Sequence, residues 1–475
     1  MFIEGNFRNS SSGETFGSYN PANGELLGEV ASGGKDDALA AIDAASRAFK
    51  EWASLTVYQR SKFLMEAHRM MMESQEEIAE IMSKEQGKPF RAAMNEVQYG
   101  ADFLIWFAEE AKRIYGRTVP SSRTDQRFIV LHQPIGVVGA ITPWNYPVSM
   151  ITRKVAPALA AGCTIVVKPA EATPLCAQAV FKIFEKANLP AGVVNLVTAD
   201  DPQPVGEVFL NDVRVRKITF TGSTKVGKML AGGSGSQLKR LSLELGGHAP
   251  FIVCSDADPV HAAKGLALVK FLNSGQACIS PNRIYVHEQQ EKTFLEELSS
   301  RVSKLKAGPG INKDSKIGPL INEEALEKVD QQVRDAIEKG AEVITGGYRI
   351  KDNGLDQGHF YAPTILNKVT PDMTIYREET FGPVAPVITY REGDDLLEMA
   401  NDTHYGLASY VYTQNLGLAM KLFEGLNFGI VGINDINPTS AAAPFGGNKE
   451  SGIGREGASE GIHEYLETKL GGFSI

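Results

Sequence analysis

The stretch "IGVVGAITPWNYPVSMITRKVAPALAAGCTIVVKPA", residues 135–170, decides the fold. Its first eight residues, "IGVVGAIT" (135–142), are a short apolar run. "SMITRKVAPALAAG" (149–162) has helical composition and a glycine stop, and "CTIVVKPA" (163–170) is a second apolar run. A buried strand, a helix and a second buried strand joined by short Pro, Asn and Gly connections make one βαβ unit. The alternation then continues. "TPLCAQAVFKIFEKANLPAG" (173–192), "PVGEVFL" (204–210) and "STKVGKMLAGG" (223–233) read as helices, and "VVNLVT" (193–198) and "RKITFTG" (216–222) as strands. This predicts a parallel, doubly wound sheet. A second α/β series opens at "HAPFIVCSDADPVHAAKGLALVKFL" (248–272) and runs through "AEVITGG" (341–347), "PVAPVITY" (383–390) and "GIVGIN" (429–434). Ahead of both, "DDALAAIDAASRAFKEWASL" (36–55) and the segment 58–90 carry apolar residues at helical spacing until Gly87 and Pro89 end the pattern. Their Met and aromatic stripe reads as core. Two α/β units with a helical lead-in predict a two-domain enzyme with a cleft between the domains.

Length and composition agree. A chain of 475 residues is too long for one ordinary core. With 43% hydrophobic and 22% charged residues it reads as soluble and globular. The net charge of −9 and the lack of a dense Lys/Arg run argue against a nucleic-acid partner. The N-terminus lacks a signal-peptide pattern, and no apolar run approaches the ~20 residues of a spanning helix, so no membrane partner is expected. Four cysteines without a CxxC suggest neither a disulfide framework nor a metal site. The expectation is a reduced, cytoplasmic protein with no metal.

Several motifs bear on chemistry. "GIGREG" (452–457) fits the dinucleotide pattern GxGxxG but follows no strand and opens no βαβ unit, so it reads as a mobile or packing glycine loop. "KITFTGSTKVGKML" (217–230) is better placed. A strand ends, Gly222 and Ser223 turn, and a helix begins whose N-terminal N–H groups can hold a diphosphate. Many such junctions hold no ligand. In "VVKPAEATP" (166–174), Lys168 and Glu171 emerge at the C-terminal end of a buried strand, where open α/β sheets bind ligands. A lysine there can hold ribose or phosphate, and a carboxylate would accept from ribose hydroxyls and repel a 2′-phosphate. Cys163, Cys176 and Cys254 lie in apolar stretches that predict inert, buried thiols. Cys278 alone sits in a polar loop, "FLNSGQACISPNR" (271–283), where a reactive thiolate is expected to be exposed.

In order along the chain, "TPWNYP", "VVKPAEATP", "FTGSTKVG", "LELGGHAP", "GQACISPNR", "EETFGPV" and "PFGGNKESGIGREG" resemble the aldehyde dehydrogenase superfamily over nearly the whole chain. Each motif is weak alone, and the ordered set is specific. "FAEEAKRIYGRTVP", "ITRKVAPALAAG", "GREG" and "EYLETK" look like its succinate-semialdehyde dehydrogenase branch. The resemblance implies an NAD-binding domain over 1–117 and 138–248 and a catalytic domain over 249–440. It also implies a β oligomerisation element over 118–137 and 455–475, and hence a homodimer or homotetramer. It implies Cys278 as nucleophile, Glu244 as general base and Asn145 as oxyanion donor. Lys168 and Glu171 would meet the adenosine ribose and Gly222 and Ser223 the diphosphate. Glu379 would hold the nicotinamide ribose beside Phe381, with Thr142 and Trp144 also on the cofactor side. Arg153, Ser440 and Phe445 would contact substrate. The cofactor implied is NAD, with NADP also admitted.

Thiolate addition to an aldehyde gives a thiohemiacetal that can expel hydride, and the thioester left behind is hydrolysed by water. A carboxylate at 244 favours water as acyl acceptor over CoA. An arginine is the bidentate match for a substrate's distal carboxylate. Arg153 occupies one such position, whereas Leu272 stands where a second arginine often precedes the catalytic loop. Ser280 replaces the branch's second loop cysteine, which removes a disulfide switch. The expected substrate is an ω-carboxylated aldehyde, succinate semialdehyde first, with glutarate semialdehyde, 2-oxoglutarate semialdehyde or a less polar aldehyde as alternatives. A non-redox cysteine thioesterase or acyltransferase would leave the Lys168/Glu171 pair and the Gly222–Ser223 turn idle. A non-enzymatic descendant would have no use for Cys278, Glu244 and Asn145 together.

Overall fold

The computed structural model describes residues 1–352 and 354–475. Among them an eight-stranded sheet runs in the spatial order Gly452–Ile453, Arg240–Glu244, Val215–Thr221, Val137–Ile141, Thr164–Lys168, Val194–Leu196, Phe2–Ile3, Asn6–Phe7. Its five strands between residues 137 and 244 are parallel to one another, and the short edge strands Gly452–Ile453 and Phe2–Ile3 join them antiparallel. Val137–Ile141, Thr164–Lys168 and Val194–Leu196 are buried along almost every residue. Uniform apolar runs are what a sheet covered on both faces requires. The helix Ser149–Ala161 is buried throughout and ends at Gly162, whose φ of +97 suits glycine. From Val137–Ile141 the chain steps outward through two strands, then returns to place Val215–Thr221 on the other side. Strand order therefore reverses between 137–141 and 215–221, and a crevice opens at the C-terminal ends of those two strands.

The second sheet has the order Glu342–Thr345, Thr364–Asn367, Val384–Tyr390, Pro281–His287, Ala249–Val253, Ala408–Tyr412, Ile430–Ile433. It is parallel apart from the antiparallel edge strand Glu342–Thr345. Glu244 ends a strand of the first sheet and Ala249 begins one of the second, so only Leu245–His248 joins them. A third, antiparallel sheet pairs Leu466–Ser474 with Gln126–Pro134 in register from Leu466↔Pro134 to Ser474↔Gln126, and Arg117–Val119 extends it.

The helical lead-in forms Lys35–Ser54, Val57–Glu73, Gln75–Glu85 and Phe90–Glu110. Thr56 and Gln59 close a capping box at the second of these. Trp52, Met71 and Met82 join the core beneath the first sheet, as expected of the Met and aromatic stripe, and Phe103 and Phe107 of the helix Phe90–Glu110 join the same core. "GIGREG" proves to be a packing element. Gly452–Ile453 pairs antiparallel with Leu243–Glu244, and a Cβ on Gly452 would lie 2.0 Å from the Leu243 carbonyl oxygen. Among the described residues no helix is long and apolar enough to cross a membrane.

Candidate active site

A cleft of about 610 Å³ opens between the C-terminal edge of the first sheet and the N-terminal edge of the second. The first sheet contributes Trp144 and Asn145 from the turn after Val137–Ile141, Gly222 and Ser223 from the turn after Val215–Thr221, and Glu244. The second contributes Cys278, three residues ahead of its strand Pro281–His287, and Glu379 and Phe381, ahead of Val384–Tyr390. The topology thus brings eight of the sequence-derived site residues to one crevice.

Asn145 is buried, and its Nδ2 donates to the carbonyl of Gln276 at 3.1 Å, two residues before Cys278. An amide NH₂ has two protons, so a second donor remains for a reacting oxygen. The loop carrying Cys278 is held under strain. Asn273, Ser274 and Gly275 have φ of +50, +57 and +76, and non-glycine residues persist there only where their surroundings fix them. Ser274 Oγ donates to the Gly318 carbonyl at 2.8 Å, Gln276 Oε1 accepts from Ile321 N at 3.0 Å, and Asn273 Nδ2 donates to the Gln276 carbonyl at 3.2 Å. The polar side chains of this loop therefore bond backbone, its own and that of residues 318–321, rather than solvent.

That arrangement corrects the expectation of an exposed, thiolate-favouring cysteine. Cys278 is only half-buried, but burial and then the charge of Glu244 push its thiol well above the ordinary value, with Arg153 opposing. Glu244 is itself raised, by burial first and by Glu456, while Arg153 and Lys154 pull it down. Among the described residues neither carboxylate oxygen of Glu244 has a hydrogen-bond partner. A buried, unpartnered carboxylate beside a thiol is a base strengthened by its surroundings. Cys163, Cys176 and Cys254 are buried as expected, and burial raises all three thiols.

Ser223 caps the helix Thr224–Ser234, accepting from Val226 N at 3.4 Å, so the turn presents a capped helix N-terminus at the cleft. Glu379 accepts from Gly247 N at 2.9 Å, and burial pushes its carboxyl up to about 7. A Cβ on Gly246 would lie 3.1 Å from Glu379 Oε2, so the glycine leaves room that a side chain would fill. Phe381, at φ +54, stands edge-on to Trp144 with ring centroids 5.6 Å apart. The strand Thr164–Lys168 places Lys168 and Glu171 outside the cleft lining, where Lys168 Nζ meets Glu171 Oε2 at 2.8 Å. Thr142 is buried beneath the turn, its hydroxyl without a partner among the described residues. The set fits a nicotinamide dinucleotide.

Arg153, expected on the substrate side, is buried in the helix Ser149–Ala161, not on its surface. Its guanidinium stacks 4.0 Å over Phe445, meets Glu456 at 3.5 Å and donates to Tyr99 Oη at 3.1 Å. Phe445 is buried and Ser440 is exposed, and neither lines the cleft volume that holds Cys278.

The comparisons with known proteins extend this geometry. The model of the aldehyde dehydrogenase family matches residues 7–470. The chain belongs to the aldehyde dehydrogenase family. It is similar to a probable succinate-semialdehyde dehydrogenase [NADP(+)] of Sinorhizobium fredii, with 48% identity covering 96% of this chain and 92% of the relative. A succinate-semialdehyde dehydrogenase [NADP(+)] of Escherichia coli is 47% identical, covering 98% and 96%. The solved structure of a succinate-semialdehyde dehydrogenase from Burkholderia pseudomallei superposes with a TM-score of 0.97 at 44% identity, covering 100% of this chain and 97% of that one. This aldehyde dehydrogenase thus has the mixed α/β fold expected of its sequence.

The sequence did not reveal Lys88, Glu96 and Asn273, which reach the Asn145 turn from other elements. A lysine between a helix-stopping glycine and a proline, in "QGKPF", was the available signal.

Proposed function

We propose that this chain oxidises an ω-carboxylated aldehyde to the acid, with succinate semialdehyde as first substrate and NAD or NADP as acceptor. Cys278, Asn145 and Glu244 share one cleft with a capped helix N-terminus, and that juxtaposition supports the reading most strongly. Cys278 Sγ gives up its proton to water in the cleft and forms a C–S bond to the carbonyl carbon. The second N–H of Asn145 Nδ2 stabilises the oxyanion that develops. Collapse of that oxyanion to a carbonyl would expel hydride to a bound nicotinamide nucleotide, leaving a thioester on Sγ. Lys168 and Glu171 would hold its adenosine ribose, Gly222 and Ser223 its diphosphate, and Glu379 its second ribose. Glu244 then takes a proton from water, whose oxygen attacks the thioester on Sγ. The C–S bond breaks and the acid leaves.

Arg153, stacked on Phe445, is the proposed partner of the substrate carboxylate, with Ser440 a further proposed contact. Leu272, 47% exposed, supplies no second cation, so the site is less committed to a dicarboxylate-like substrate than one with two arginines. The first-sheet segments would form the nucleotide-binding domain, residues 249–440 the catalytic one and the third sheet an oligomerisation element. Exposed Leu131, Leu470 and Phe473 on that third sheet suit a homodimer or homotetramer. Four free cysteines suit a cytoplasmic location. Formation of reduced nicotinamide across semialdehydes of increasing length, beside acetaldehyde and betaine aldehyde, tests the reading. Succinate semialdehyde should give the highest kcat/KM and Cys278→Ser none. Preference for betaine aldehyde would overturn the Arg153 assignment.

A further inference from the structure

Two charged residues that the chemistry above does not use are buried directly behind the oxyanion donor. Lys88, in the break between two lead-in helices, and Glu96, in the helix Phe90–Glu110, are each 1% exposed and form an ion pair. Lys88 Nζ also donates to the carbonyl of Asn145 at 2.9 Å and stands 3.9 Å from the Tyr146 ring centroid. The ammonium therefore has three partners, one for each proton. Glu96 Oε1 accepts from Val148 N at 3.0 Å and Ser149 N at 3.3 Å, while Oε2 faces Lys88. The pair thus holds the Asn145 turn at its carbonyl and again at the start of the helix that follows.

The hold passes on to the cysteine loop. The Asn145 carbonyl takes a second hydrogen bond, from Asn273 Nδ2 at 3.0 Å, and the Asn145 side chain donates to the Gln276 carbonyl. Burying an ion pair brings little net stability, and well-packed apolar side chains of similar volume often do as well or better. A pair that grips one backbone carbonyl and two backbone N–H groups of a catalytic turn has a different use. We infer that Lys88 and Glu96 are positioning residues that fix the Asn145 amide against the Cys278 loop. This rests on the reading of Asn145 as oxyanion donor.

The test measures the single-turnover rate of reduced-nicotinamide formation in K88M, E96Q, K88R and the apolar pair K88M/E96L, each alone and combined with N145A. Nucleotide affinity and thermal midpoint report the fold. K88M and E96Q should slow the step about 10- to 100-fold, the range expected for a donor displaced by about 1 Å. KM and nucleotide affinity should stay within about threefold, and K88R should recover part of the rate because it retains a buried cation. In the N145A background the same changes should cost less than about twofold, because the group they position is gone. Equal losses in both backgrounds overturn the inference while leaving Asn145 as donor. A wild-type rate for N145A instead overturns the reading on which the inference rests. K88M/E96L leaves no buried charge unpaired, so it decides the matter if the single variants do not fold, and a wild-type rate in it overturns the inference.

Discussion

Gly247→Ala should separate catalysis from thiol content. Gly247 lies between Glu244 and the second sheet, and a Cβ built on it would sit 2.3 Å from the carbonyl oxygen of Cys278. Ordinary contact begins near 3.4 Å, so the two backbones must part by about 1 Å. Neither can yield cheaply, since Gly247 N also donates to Glu379 and the Cys278 loop is fixed at Asn273, Ser274 and Gln276. A shift of about 1 Å at reacting groups costs on the order of 100-fold in rate, or roughly 3 kcal/mol of barrier. Overpacking a rigid site adds about 1–3 kcal/mol of destabilisation. Single-turnover hydride transfer should therefore slow about 100-fold, and the melting midpoint should fall. Titration with iodoacetamide should still find one reactive thiol per chain. A rate within about twofold of wild type would refute the reasoning, because it would mean that the Cys278 backbone tolerates displacement.

Burial raises Glu379 to about 7, and ribose hydroxyls favour the ionised form, so nucleotide affinity should rise up to about tenfold between roughly pH 6 and pH 8. E379Q should flatten that profile, and a slope retained in E379Q would assign it elsewhere. The same raised pKa has a stability sign. The unfolded carboxyl ionises near 4.5 while the folded one keeps its proton to about 7, so stability falls as pH rises through that window, by about 3 kcal/mol, and E379Q should lose this component of the melting profile. Glu171, 48% exposed beside Lys168, should disfavour a 2′-phosphate, so E171Q should raise the NADP-to-NAD ratio of kcat/KM about tenfold. An unchanged ratio would remove Glu171 from nucleotide choice. R153L should raise KM for succinate semialdehyde at least about tenfold more than KM for acetaldehyde. Equal effects would confine Arg153 to its contacts with Glu456, Tyr99 and Phe445.

The doubly wound sheets were legible because strands buried on both faces leave unbroken apolar runs such as "TIVV" and "PFIV". Phe2–Ile3, Asn6–Phe7 and Gly452–Ile453 were not, since a two-residue strand has no period and owes its pairing to distant partners. At the site, Cys278, Glu244 and Asn145 were each weak signals and became specific only as part of an ordered set of motifs. The Lys88 and Asn273 contacts to Asn145 span 57 and 128 residues, so no local pattern could join them. The polar composition around Cys278 suggested exposure because composition does not say whether a side chain meets water or backbone. Here Asn273, Ser274 and Gln276 meet backbone.

Everything depends on a covalent acyl group passing through Cys278 and leaving with help from Glu244. Intact-protein mass spectrometry of E244Q, quenched after mixing with succinate semialdehyde and NAD, reads this directly. The result expected is one succinyl thioester per chain, mapped to Cys278, together with one equivalent of reduced nicotinamide. Reduced nicotinamide accumulating at the wild-type steady rate with no adduct on Cys278 would contradict it.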